Sequence, residues 1–254
     1  MPEGKLLAQP CNRDTGPGAL LPLAYVKGKN PEATVVILPC DHFVYPEYLF
    51  AQRVINAIES VEAFPERVVL LGACPEKADA DLGWIELAGP LSPSFDSEIY
   101  TVSRFVEKPP AEEATRIMKT GGLLNTLVIA CRVKSLWALG QRHFPRTIAL
   151  LEQAANAFDT DTEDEALHRA YREMPSWNLS KDLLGRCADN LTVMELDGVQ
   201  WSDWGKPERI FETISRMRRA NDQMCSAEVL NLSGAEPLKW KGAAPIEEAN
   251  YATH

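Results

Sequence analysis

Histidine is scarce in this chain, four residues in 254, and none stands beside cysteines at the spacing a zinc site needs. The six cysteines, Cys11, Cys40, Cys74, Cys131, Cys187 and Cys225, are scattered with no close pair, and read as reduced thiols rather than a disulfide framework. Positive charge is in the minority, 26 Lys and Arg against 36 Asp and Glu, for a formal net charge of -10. That balance excludes a nucleic-acid polymer as partner, because a phosphate backbone selects clustered Lys and Arg. No apolar run is long enough to cross a membrane, and the opening MPEGKLLAQP has no basic region followed by an apolar stretch. The expected compartment is the cytoplasm, with no membrane partner. Neither GxGxxG nor GxxxxGK followed by Ser or Thr occurs, so no phosphate-cradling glycine loop can be read from the chain.

What is present is ordinary globular composition, 45% hydrophobic and 24% charged, enough to bury a substantial core. The pattern predicts one α/β domain over residues 1–224 and a tail or lightly packed extension over 225–254, with no internal repeat. Thr34 to Leu38 (TVVIL) and Arg67 to Gly72 (RVVLLG) are short β-branched apolar runs of the kind buried in parallel sheets. Between them Leu49, Phe50, Val54, Ala57, Ile58 and Val61 recur at helical spacing behind Pro46, which completes a strand, helix, strand unit. Further strands are expected over Ile99 to Lys108, Asn125 to Cys131 and Leu191 to Leu196. Helices are expected over Ala111 to Lys119, Val133 to His143, Pro145 to Phe158 and Pro207 to Asn221. The acidic stretch Asp159 to Glu165 reads as a solvated loop and helix start.

Three short motifs carry the chemistry. In PCDHF, Asp41 follows directly on an apolar strand, where ligands of open α/β sheets gather. A carboxylate there could hold Mg²⁺ through oxygen, although taken alone it reads as a turn aspartate capping the next helix, and His42 as a locally packed or hydrogen-bonded side chain. In WSDWG, Asp203 is equally a second metal carboxylate or an Asx turn anchored by two tryptophans. In FVEKP, Glu107 and Lys108 end a strand before two prolines, where an acceptor could meet a hydroxyl and a cation a phosphate. Adjacent strand residues point to opposite faces, so both serve one ligand only if the chain bends at Pro109. The bland alternative is a surface ion pair. A fourth segment, Asn12 to Gly16, is polar and precedes the apolar Ala19 to Leu23; it reads first as the turn before a helix.

Taken in order, these segments resemble sugar-phosphate nucleotidyltransferases, and most closely the bacterial mannose-1-phosphate guanylyltransferases, over about Leu6 to Arg218. QPCNRDTGPGALLPL resembles the group's base-proximal segment, and VVILPCDHF its strand and metal-binding Asp-His, with Cys40 where Ser is more usual. LGWIEL resembles the Gly-aromatic-Ile element near the sugar, with Leu82 where an aromatic residue often lies. FVEKP matches fully. GLLNTLVIA resembles the element whose Asn contacts sugar hydroxyls, with Leu124 for the usual Trp, and SKDLL and WSDWG resemble the later acidic motifs.

The resemblance implies an α/β fold, a Rossmann-like nucleotidyltransferase sheet with flanking helices. It implies Mg²⁺ held by Asp41 and Asp203, and Lys108 neutralising the sugar phosphate. Glu107, Asn125 and Gly83 would position the hexose, and Gln9, Arg13, Thr15 and Gly16 would lie at the nucleotide. The implied partners are a nucleoside triphosphate, GTP favoured, and a sugar 1-phosphate, mannose 1-phosphate favoured. The implied products are a nucleotide sugar and pyrophosphate. In-line attack by an already ionised phosphate needs no protein nucleophile. Family members begin with a strand and a glycine-rich loop that wraps the triphosphate, and by the same resemblance Met1 falls after that region, with the first βα units of the sheet missing. A catalytically silent sugar-nucleotide-binding or regulatory partner is therefore the alternative expectation, and the resemblance is compatible with a homo-oligomer or with pairing to a full-length homologue.

Overall fold

A computed structural model describes residues 4–91 and 99–231, with side chains through residue 219. It divides into two units, residues 1–205 and 206–254. Within the first, a helix α1 (Thr15–Lys29) precedes strands β1 (Thr34–Ile37) and β2 (His42–Tyr45), helix α2 (Glu47–Ala63), and strands β3 (Val68–Ala73), β4 (Gly83–Pro90) and β5 (Ile99–Glu107). Then come α3 (Ala111–Lys119), β6 (Leu123–Arg132), α4 (Val133–His143), α5 (Pro145–Ala155) and α6 (Glu163–Glu173). A π-helical turn (Leu179–Leu183) and two short 3₁₀ turns lead to β7 (Leu191–Glu195) and β8 (Gln200–Asp203). The second unit contributes α7 (Pro207–Asn231). That helix runs beyond the expected end at Asn221, and the expected tail falls outside the described residues from position 232 onward.

The main sheet has six strands in the order β1-β6-β3-β7-β5-β4, and β4 also pairs with the start of β6. It is mixed. TVVIL and RVVLLG do run in one direction joined by α2, but β6 lies between them and pairs antiparallel with both. The only pairing of parallel sense among the described strands is β3 with β7. The α/β expectation therefore holds, with a correction to the parallel neighbourhood of the first two strands. A short apolar run reads the same whether its neighbour runs up or down.

Strand alternation explains the layers. Val68 and Leu70 of β3, Ile129 and Cys131 of β6 and Leu191 and Val193 of β7 face a core shared with Leu20, Leu136, Ile148, Leu151 and Tyr171 from α1, α4, α5 and α6. Their neighbours Val69, Leu71, Val128, Ala130 and Met194 face the other way, onto Ala57 and Val61 of α2. A third cluster, Trp84, Leu124, Ala114 and Ile117, seats α3 against the β4 end of the sheet. Each buried Leu, Ile or Val contributes on the order of 1.5–3 kcal/mol, so this three-layer arrangement fixes the strand ends that carry the motifs.

The strands β2 and β8 form a separate antiparallel pair, placing His42 opposite Asp203 and Val44 opposite Trp201. WSDWG, expected as a turn, is thus strand through Asp203 and turn only from there. Among the described residues Cys11, Cys40, Cys74, Cys131 and Cys187 are free thiols. No helix of the described residues is long and apolar enough to cross a membrane.

Candidate functional site

Three of the residues singled out in the sequence converge at the β4, β5 and β6 ends. Gly83 opens β4 and pairs with Glu107, the last residue of β5. A Cβ at Gly83 would stand 2.7 Å from Glu107 Oε2, 3.3 Å from Asn125 Cβ and 3.4 Å from the Phe105 ring, so the absence of a side chain there opens the space that these groups face. Asn125 is 6% exposed on β6. Its Oδ1 accepts the Leu127 N–H at 3.1 Å, while its Nδ2 donates to no described residue.

Glu107 accepts no hydrogen bond from a described residue. Burial raises its carboxyl above the usual glutamate range, with the neighbouring Lys108 charge pulling the other way. A half-buried carboxylate with unfilled acceptor sites is costly unless a donor such as a hydroxyl arrives.

The bend required between Glu107 and Lys108 is present, one residue earlier than expected. Lys108 itself adopts φ +50, and its N–H donates to Leu82 O at 3.2 Å, which turns the chain out of the sheet before Pro109. Lys108 is exposed, and its ammonium forms no ion pair with a described residue, so the surface-pair alternative is not realised. Among the described residues four non-glycine positions take positive φ: Asp14, Lys108, Leu127 and Asp159. Three of them lie in or beside the chemical motifs, where backbone strain commonly collects.

The two candidate metal carboxylates stand on the small β-pair. Asp41 precedes β2, and its carbonyl accepts the Trp204 N–H at 3.1 Å, which closes β8 against it. Asp203 Oδ1 accepts the Gly205 N–H at 2.6 Å, the Asx turn anticipated for WSDWG. Aromatic anchoring is also realised, with Phe43 stacked on Trp204 at 5.3 Å between ring centroids and His42 edge-on to Trp201 at 5.2 Å. Trp201 Nε1–H donates to His42 Nδ1 at 3.2 Å, leaving the opposite nitrogen, Nε2, 3.8 Å from Asp41 Oδ1. Burial lowers the His42 pKa, opposed by the charges of Asp203 and Asp41. The imidazole therefore stands between the Trp201 indole and the Asp41 carboxylate.

No three His, Cys, Asp or Glu side chains among the described residues gather at metal-ligand range. The donor set nonetheless fits Mg²⁺, a hard cation usually held by one or two carboxylates and completed by water and substrate phosphates.

The four residues expected at the nucleotide are spent mostly inside the protein. Arg13 donates from Nε to Tyr171 O at 2.9 Å and from a terminal nitrogen to Arg172 O at 3.2 Å, binding the last carbonyls of α6. Thr15 Oγ1 accepts the Leu179 N–H at 2.9 Å. Gly16 donates to Trp177 O, and a Cβ there would stand 2.2 Å from the Trp177 ring, so this glycine is dictated by packing. Gln9 is different. Its Nε2 donates to Asp14 O at 3.4 Å, while its Oε1 is buried and accepts from no described residue.

Sequence reasoning passed over the structural parts that tie these residues together: β4 as the strand presenting Gly83, β2 and β8 as the pair presenting the aspartates, and the linking role of Asp14. Asp14 Oδ1 caps α1 through Thr15 N–H and also accepts Asn178 Nδ2–H at 3.2 Å. Asp182 of SKDLL accepts the Asn178 N–H at 2.7 Å, and Asn178 accepts that of Lys181, so this acidic motif closes the π-helical turn on itself.

Known proteins resemble this chain in sequence and in fold. The family model described as nucleotidyl transferase matches residues 4–219. Mannose-1-phosphate guanylyltransferase 2 of Escherichia coli O157:H7 is 26% identical over 234 residues, 89% of this chain and 47% of that protein. The mannose-1-phosphate guanylyltransferase of Salmonella typhimurium is 25% identical over 223 residues, 85% of this chain and 45% of that one. The chain thus spans about half the length of the curated relatives it matches. A Thermus thermophilus structure described as a mannose-1-phosphate geranyltransferase superposes with a TM-score of 0.67 at 26% identity, covering 78% of this chain and 54% of that one. A Helicobacter pylori structure described as a mannose-6-phosphate isomerase shares the fold, with a TM-score of 0.61 at 18% identity over 76% of this chain and 72% of that one.

Proposed function

Because the chain belongs to the nucleotidyl transferase family, whose model spans residues 4–219, we propose that it joins a sugar 1-phosphate to a nucleoside triphosphate, mannose 1-phosphate and GTP being the favoured pair. The observation that carries this reading is the convergence of Gly83, Glu107 and Asn125 beside an outturned Lys108. The relatives near 25% identity named as mannose-1-phosphate guanylyltransferases support the choice of sugar and nucleotide.

In this account Glu107 accepts from a sugar hydroxyl, Asn125 Nδ2 donates to one, and the flat wall at Gly83 admits the ring. Lys108 neutralises the sugar phosphate, one of whose oxygens forms a bond to the α-phosphorus as the bond to pyrophosphate breaks and its electron pair departs with the leaving group. The nucleophile is already an anion, so the protein's task is to orient the two substrates and to offset their charge. Asp41 and Asp203 would hold Mg²⁺, which supplies charge neutralisation at the phosphate oxygens when bound. Gln9 would lie near the base. The reading carries with it a cytoplasmic setting.

The alternative, a binding partner without turnover, is favoured by one observation: Arg13, Thr15 and Gly16 are engaged internally rather than turned to a nucleotide. Calorimetric titration with mannose 1-phosphate tests the part common to both readings. Lys108→Met should weaken binding about tenfold or more, the worth of a charge-assisted contact. Equal affinities in the two proteins would remove Lys108 from the site.

A further inference from the structure

The strand that presents Asn125 bulges immediately after it. Between β3 and β6 the register passes from Leu70 opposite Ile129 to Gly72 opposite Asn125, so two residues of advance on β3 meet four on β6. The surplus is taken up at Thr126, Leu127 and Val128, and Leu127 enters the left-handed region at φ +57, a conformation that disfavours a residue with a Cβ. A bulge with such strain persists only when something holds it.

The hold is the Thr126 hydroxyl. Thr126 is fully buried, and its Oγ1 donates to Leu71 O of β3 at 2.6 Å while accepting the Val128 N–H at 3.3 Å. The same bulge turns the Leu127 N–H onto Asn125 Oδ1. A backbone N–H can only donate, so this bond fixes which end of the carboxamide is oxygen and leaves Nδ2 as the end available to a ligand.

We propose that Thr126 is a positioning residue for the sugar: its hydroxyl ties the strained bulge to β3 and thereby commits Asn125 to act as a donor beside the acceptor Glu107. A sugar hydroxyl is donor and acceptor at once, and a fixed donor beside a fixed acceptor satisfies both functions. A freely rotating carboxamide would offer two acceptors in half of its orientations. The inference rests on the reading of Gly83, Glu107 and Asn125 as a sugar site.

The test is titration of the 254-residue chain with mannose 1-phosphate, comparing wild type with Thr126→Val, Thr126→Ser and Asn125→Asp. Amide hydrogen exchange at Leu127 and Val128 is followed in the ligand-free proteins. Thr126→Val should weaken binding about tenfold, and exchange at both amides should quicken by a similar factor. Thr126→Ser, which keeps the hydroxyl, should remain within about twofold of wild type in both readouts. Asn125→Asp keeps the acceptor for Leu127 N–H but loses the donor, so it should lose binding while exchange stays slow. Wild-type affinity in Thr126→Val, or fast exchange with unchanged binding, would overturn the positioning role alone. Should Thr126→Val fail to fold, slow exchange with retained binding in Asn125→Asp would by itself overturn the donor assignment. No binding by the wild type would instead overturn the sugar site and the positioning role together.

Discussion

At the scale of single residues, Glu107 carries the sharpest consequence. Its carboxyl sits above the ordinary glutamate value of 4.5 because burial penalises the charged form. An acid whose folded pKa is raised favours folding below its unfolded pKa and loses that contribution as pH rises through the folded value. Glu107→Gln should therefore raise the thermal midpoint at pH 7, and the advantage should shrink as pH falls through the raised folded value, where the wild-type group takes up its proton. Melting curves over that range check it, and a pH-independent difference would show that the carboxylate is not desolvated. The Glu-Lys pair was legible in the sequence because FVEKP is a complete motif. The bend that lets both residues serve one ligand was legible only as a requirement. Its realisation in the left-handed backbone of Lys108 depends on a long-range hydrogen bond to Leu82 O. Leu127 shows the same limit, since nothing in the residue type announces a positive φ.

At the scale of elements, periodicity located what is long and strongly patterned. The helices Ala111–Lys119 and Val133–His143 were read with their observed bounds, and β5 and β7 to within a residue. The strands β2, β4 and β8 were missed. β2 and β8 are four residues each, half-exposed and paired mainly with one another, so neither shows clean alternation. The segment Asn12 to Gly16 was correctly seen as the entry to a helix, but Arg13, Asp14 and Thr15 also bind partners more than 150 residues away. Arg13 is the clearest case, because it caps α6 rather than facing outward. Arg13→Ala should leave the Tyr171 and Arg172 carbonyls without these partners and cost about 1–2 kcal/mol. Thermal denaturation should then show a midpoint lower by roughly 4 °C. An unchanged midpoint would mean that the guanidinium is held for a ligand.

At the scale of the whole molecule, the sequence pointed to an α/β sheet with helices on its faces, and the alternation of core residues along β3, β6 and β7 shows why. The strand order was beyond it: β6 enters between two strands that look like neighbours in the chain, a long-range pairing that no local run of residues encodes. The same sheet sets Gly83, Glu107 and Asn125 at the ends of β4, β5 and β6, while the aspartates stand at the separate β-pair. Trp201 joins these regions, since it packs against both the α2-side core and the cluster around Trp84 and Leu124. The account's central claim is that these two groups of residues perform one nucleotidyl transfer. The most direct test is pyrophosphate release by the 254-residue chain with Mg²⁺, GTP and mannose 1-phosphate, with Asp203→Asn run beside it. The account predicts release that requires both substrates and falls by about a hundredfold or more in the variant, as expected for a lost charge-stabilising group. Release of equal rate in both proteins, or none from a folded wild type that binds both substrates, would contradict it.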